Sequence, residues 1–133
     1  MKKRVVITGM GIVTSLGAGI DITASALRAS RAAIGPITSF DTSKHKTNQG
    51  GEVGVEILES VIYKDKQFHL DRATKLLLRA CKDALNDARL LTQQGEYIKA
   101  PLVVGTTLGG ICSGQNFHRA MLLKEDTQKY ARF

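Results

Sequence analysis

Two thiols, Cys81 and Cys112, and three imidazoles, His45, His69 and His118, are the side chains here that could pair as nucleophile and base or gather as soft metal ligands. Their spacing does neither. The cysteines stand far apart with no CxxC interval, each in apolar or glycine-rich surroundings, so neither a metal site nor a disulfide is indicated. The histidines are isolated and read as surface or hydrogen-bonded side chains. A second candidate chemistry is anion binding. Gly9-Met10-Gly11 follows the apolar run Val5-Val6-Ile7, the order in which a dinucleotide-binding fold cradles pyrophosphate at a helix N-terminus. The diagnostic positions do not match: the third glycine would fall at Thr14, no acidic residue closes a second strand about twenty residues on, and no GxxxxGK[ST] occurs.

Length and composition set the frame for these groups. A chain of 133 residues that is 43% hydrophobic is expected to form one domain with a single core, burying roughly two thirds of its unfolded surface. The formal charge of +7 and the pI near 9.7 suit an acidic partner. Only Lys2-Lys3-Arg4 are consecutive, so the basic residues form no continuous nucleic-acid footprint. Met1-Lys2-Lys3-Arg4 before the uncharged stretch Val5 to Ile20 has the outline of an export signal. Gly9, Gly11, Gly17 and Gly19, with Thr8, Thr14 and Ser15, make a poor helical segment there, and the stretch is too short and polar to span a bilayer. The reading is a soluble, cytoplasmic chain with no membrane partner.

The elements that must position any site follow from the hydrophobic period. Val5-Val6-Ile7 reads as a strand covered on both faces. Asp21 is placed to cap a helix through Ile22, Ala26, Leu27 and Ala29, before Gly35-Pro36 interrupts the chain. Phe40 to Gly54 reads as loop, with at most a short strand near Glu52-Val53. From Asp71, the residues Ala73, Leu76, Leu77, Ala80, Cys81, Ala84, Leu85 and Ala88 keep helical rhythm. The small alanines allow close approach to a sheet, and Cys81 in their stripe reads as a buried small hydrophobe. Pro101-Leu102-Val103-Val104-Gly105 reads as another strand, and Ser113 as the cap of a last helix through Phe117, Ala120 and Met121 to about Gln128. Strand, helix, loop, helix, strand, helix is the alternation of an α/β fold with a largely parallel sheet. Two strands are too few for such a sheet, which marks the chain as the leading part of something larger.

Four separated segments carry a resemblance. They are Arg4-Val5-Val6-Ile7-Thr8-Gly9-Met10-Gly11 with Ser15-Leu16-Gly17; Gly35-Pro36-Ile37 leading to Phe40-Asp41-Thr42-Ser43; Asp71-Arg72-Ala73-Thr74-Lys75 with its helix to Ala88; and Val103-Val104-Gly105-Thr106-Thr107-Leu108-Gly109-Gly110. In this order they resemble the opening of the elongating β-ketoacyl-acyl-carrier-protein synthases. The resemblance implies a thiolase-like fold with flanking helices, of which residues 1–133 would be the early part of the first half. It implies an acyltransferase of fatty-acid or polyketide synthesis, acyl carrier protein as partner, a homodimer for the full-length enzyme, and no cofactor or metal.

The family's nucleophilic cysteine lies beyond a further strand in an Ala-Cys-Thr or Ala-Cys-Ser setting, whereas Cys112 sits in Gly109-Gly110-Ile111-Cys112-Ser113-Gly114. The family's two catalytic histidines belong to the second half. No catalytic residue therefore maps onto this chain, and the segment alone is expected to be inactive. By the same resemblance Leu108, with Gly109 and Gly110, borders the acyl pocket, and Lys64 and Lys66 are candidates for docking the acidic carrier protein. The alternatives are a nucleotide-binding Rossmann-like domain, a basic interaction module, and a non-catalytic chain-length or assembly partner.

Overall fold

The structure, a computed structural model, describes residues 3–60, 70–90 and 99–128. A two-residue turn, Ser15-Leu16, joins β1 (Val13–Thr14) to β2 (Gly17–Ala18) in an antiparallel hairpin pairing Val13 with Ala18 and Thr14 with Gly17. The Thr14 hydroxyl holds the turn by accepting from the Leu16 N–H at 3.1 Å. Helix α1 (Ile20–Arg28) follows at once. Its cap is Gly19 at φ 95°, which L side chains rarely adopt; Asp21 lies inside the first turn instead. There its charge complements the helix dipole without bonding an end N–H.

Strands β3 (Gly35–Pro36) and β4 (Gln49–Gly50) form a second antiparallel ladder, Gly35 with Gly50 and Pro36 with Gln49. The expected strand near Glu52-Val53 thus falls three residues earlier, because Glu52 is engaged in side-chain bonds to the loop at Thr38 and Ser39. Helix α2 (Val55–Glu59) then packs on α3 (Arg72–Asp87). Two arginines fasten them: Arg72 Nη2 donates to the Val53 carbonyl at 2.8 Å, and Arg79 Nη1 donates to Ser60 Oγ at 2.6 Å. Arg79 is itself held by Asp83 one turn on, at 3.0 Å.

Helix α3 is the element the hydrophobic period describes best. Asp71 caps it, its Oδ1 accepting from the Thr74 N–H at 2.7 Å. The alanine stripe receives residues 9–11. A Cβ on Gly9 would meet the Ala84 carbonyl oxygen and stand 2.5 Å from the Ala88 nitrogen, and one on Gly11 would meet the Ala80 carbonyl oxygen and stand 2.7 Å from the Ala84 nitrogen. Two residues of extended chain advance about 6.6 Å, and four residues of helix about 6 Å. Glycines two apart therefore match alanines four apart, running in opposite directions. Met10, between them, donates its N–H to Asp87 Oδ2 at 2.9 Å.

Helix α4 (Ile111–Leu122) starts earlier than a Ser113 cap would allow. Its cap is Gly110 in the left-handed region at φ 81°, and it ends six residues before Gln128, with Lys124 at φ 56° reversing the chain.

Three expectations are corrected. The described ladders are both antiparallel, and neither Val5–Ile7 nor Leu102–Val104 forms a strand. A β-branched run becomes a strand only when another pairs with it; here Val5 is 95% and Val103 96% exposed. Among the described residues a single large core is likewise not formed. The described core is small, comprising Ala18, Ala26, Leu58 and Ala120. Cys81 is consequently half-buried rather than buried, since α3 has one covered flank and no fully buried residue.

Candidate functional site

The segment that singles itself out chemically is the turn Thr106-Thr107-Leu108-Gly109-Gly110 ahead of α4. Thr106 Oγ1 accepts from the Gly109 N–H at 2.9 Å, and the Leu108 carbonyl accepts from the Ile111 N–H at 3.2 Å. A Cβ on Gly109 would stand 2.6 Å from that hydroxyl oxygen, and Gly110 supplies the positive φ, so each glycine has its own steric reason. Leu108 is left 68% exposed at the tip of a turn with fixed geometry. A branched apolar side chain held in this way can border an apolar ligand and has no group with which to do covalent chemistry.

The thiols and imidazoles are not brought together. Cys112 is exposed on the first turn of α4. His118, six residues on, is about 9 Å farther along the axis and on another face. His45 stacks edge to face on Phe40, with ring centroids 5.6 Å apart. Cys81 belongs to α3. Among the described residues no group of three or more His, Cys, Asp or Glu is placed to hold a metal ion. His69 and the docking candidates Lys64 and Lys66 lie outside the described residues. The Gly9-Met10-Gly11 segment has no space for a pyrophosphate, because α3 backbone occupies the faces that its glycines leave open.

Glu52 and Arg72 carry a local network that the sequence pattern does not announce. They help to line a shallow cavity of about 180 Å³ with Ile37 and Phe40, smaller than the roughly 300 Å³ at which ligand pockets begin. The Glu52 carboxylate accepts from the Thr38 N–H, the Thr38 hydroxyl and the Ser39 N–H at 2.9, 2.9 and 3.0 Å. The Ser39 hydroxyl, then the Thr38 and Ser39 N–H groups, lower its pKa to about 2. A folded pKa below the unfolded value means that the stabilisation is complete above the ordinary value of 4.5 and is lost as pH falls towards about 2. The Thr38 and Ser39 amide resonances should accordingly titrate with a midpoint near 2 in an NMR pH series, and this step should vanish in Glu52→Gln; a midpoint at the ordinary glutamate value would contradict the bonding described.

Comparison with known proteins gives the geometry a context. The 3-oxoacyl-[acyl-carrier-protein] synthase 2 of Synechocystis sp. is 33% identical over 110 residues, which are 83% of this chain and 26% of that protein. The chloroplastic 3-oxoacyl-[acyl-carrier-protein] synthase I of Arabidopsis thaliana is 37% identical over 113 residues, 83% of this chain and 24% of its own length. Among solved structures, the ishigamide ketosynthase/chain length factor superposes with a TM-score of 0.72 at 28% identity, over 93% of this chain and 31% of that one. The chain thus spans about a quarter to a third of the proteins it matches. A family model, beta-ketoacyl synthase, N-terminal domain, matches residues 2–132. With nearly its whole length matched, the chain belongs to the family of β-ketoacyl synthase N-terminal domains.

Proposed function

We propose that residues 1–133 are the leading part of a 3-oxoacyl-acyl-carrier-protein synthase, one that condenses acyl and malonyl thioesters with loss of carbon dioxide, and that they contribute structure and an acyl-pocket border but no reacting group. The observation that carries this reading is the fixed Leu108-Gly109-Gly110 turn, with Leu108 68% exposed and Cys112 and His118 on different faces of α4. In such an enzyme a thiolate takes the acyl group, and an oxyanion hole with two histidines stabilises the developing negative charge. Those groups would come from sequence other than these 133 residues. The exposed runs Val5-Val6-Ile7 and Leu102-Val103-Val104 support the same view, since apolar surface of this extent is normally covered in the working protein.

The partners in this reading are acyl carrier protein, with Lys64 and Lys66 as its docking residues, and a second copy of the enzyme in a cytoplasmic homodimer. The charge of +7 would favour an acidic carrier. Among the described residues no helix is long and apolar enough to cross a membrane.

Leu108 provides the test of the pocket. Each methylene accommodated or excluded is worth about 0.8 kcal/mol. In an enzyme containing these residues, Leu108→Ala should raise the relative kcat/KM for an acyl chain two carbons longer by about tenfold, read from competing acyl carrier proteins of different chain length. An unchanged profile would reduce Leu108 to packing of the turn. A second reading, a chain-length partner without its own nucleophile, is favoured by the likeness to the ishigamide ketosynthase/chain length factor. The two differ in whether the complete polypeptide becomes acylated.

A further inference from the structure

Helices α3 and α4 begin beside one carboxylate. Asp71 Oδ1 accepts from Thr74 N–H and caps α3, while Asp71 Oδ2 lies 3.4 Å from the point where a Cβ on Gly110 would stand. Gly110 is the cap of α4, which has no side-chain hydrogen bond at its cap and no acidic residue in its first turn. Each helix start carries a partial positive charge of about half a unit, so a carboxylate between them complements both. The hydrogen bonds described within the turn are internal, with Thr106 Oγ1 accepting from the Gly109 N–H and the Leu108 carbonyl from the Ile111 N–H.

We propose that Asp71 is a positioning residue whose second carboxylate oxygen fixes the Leu108-Gly109-Gly110 turn against the start of α3. Its functional consequence rests on the reading of Leu108 as an acyl-pocket border: Asp71 then sets where that border stands. Asp71 touches no substrate in this scheme and acts through the turn.

Amide hydrogen exchange on the 133-residue chain separates this role from simple capping. In Asp71→Asn the side-chain oxygen still accepts from the Thr74 N–H, so α3 keeps its start, but the charge facing Gly110 is gone. The amides of Gly109, Gly110 and Ile111 should exchange about fivefold faster, with Thr74 and Leu76 unchanged. Equal exchange at every site, or acceleration confined to α3, would overturn the proposal. Should Asp71→Asn unfold, Asp71→Ser provides a cap too short to reach α4 and is judged by the same pattern. The wild-type chain gives an independent decision, since a nuclear Overhauser effect between the Gly110 Hα and Asp71 Hβ protons is required and its absence refutes the contact. None of these readings uses turnover. A failure of the acyl-pocket reading, seen as an unchanged Leu108→Ala profile, is therefore distinguishable from a failure of the Asp71 contact.

Discussion

Gly11→Ala is expected to detach residues 9–12 from α3 at a cost of about 3 kcal/mol or more, the upper end of what overpacking does in a close-packed region. The reason is the identity of the opposing atom. A methyl group at this position meets the Ala80 carbonyl oxygen, and helix backbone cannot rotate aside as a long side chain would. The helix should survive, because its Asp71 cap and its contacts with α2 lie elsewhere. The Met10 amide, bonded to Asp87, should lose its exchange protection. Gly114→Ala is the matched control: nothing stands within 4 Å of its Cβ, and replacing a helical glycine there should stabilise α4 by about 1 kcal/mol. If Gly11→Ala left the Met10 amide as protected as in the wild type, the packing account of the two glycines would be wrong.

That packing also shows how much of the molecule can be read from residue types. Helix α3 is legible because eight apolar positions keep one period and Asp71 precedes them, and both signals are local. The glycines at 9 and 11 are legible as a close approach but not as to what approaches. The alanines at 80, 84 and 88 hold that answer some seventy residues away, at a spacing only the fold brings into register. Val5–Ile7 and Leu102–Val104 have the composition of strands, yet a ladder depends on a partner, which the described residues do not supply. The start of α4 is hidden because Gly110 caps through its backbone conformation, which leaves no side-chain signal, whereas Ser113 looks like a cap and is not one. Of the candidate site, Leu108, Gly109 and Gly110 are proposed from family resemblance, and residue types alone do not single them out. The network of Glu52 has no counterpart in any motif, since its partners are the amides and hydroxyls of a loop.

The second large effect concerns chemistry. Purified 133-residue chain, given acyl and malonyl carrier protein, should form no 3-oxoacyl product above background, a deficit of about 10⁶-fold relative to a condensing enzyme with its nucleophile intact. Intact-mass spectrometry should also find no acyl group on Cys112. That thiol is exposed on the first turn of α4, open to reagents, so its inertness is a substantive expectation. It follows from what a condensing nucleophile needs in addition: a base or charge partner, an oxyanion hole, and a water-excluding cleft. His118 is on another face, and the residues around Cys112 are open to solvent. Cys112→Ala should accordingly change nothing in a complete enzyme beyond its local packing, while a stable acyl-Cys112 adduct would place a reacting group where none is assigned.

The most direct test of the central claim is the coding sequence downstream of the Phe133 codon. If these residues are the leading part of a condensing enzyme, the reading frame continues for several hundred codons and encodes a cysteine flanked by small residues, followed by two histidines. A stop codon immediately after Phe133 would contradict the claim, leaving a protein with the family's opening and without its chemistry.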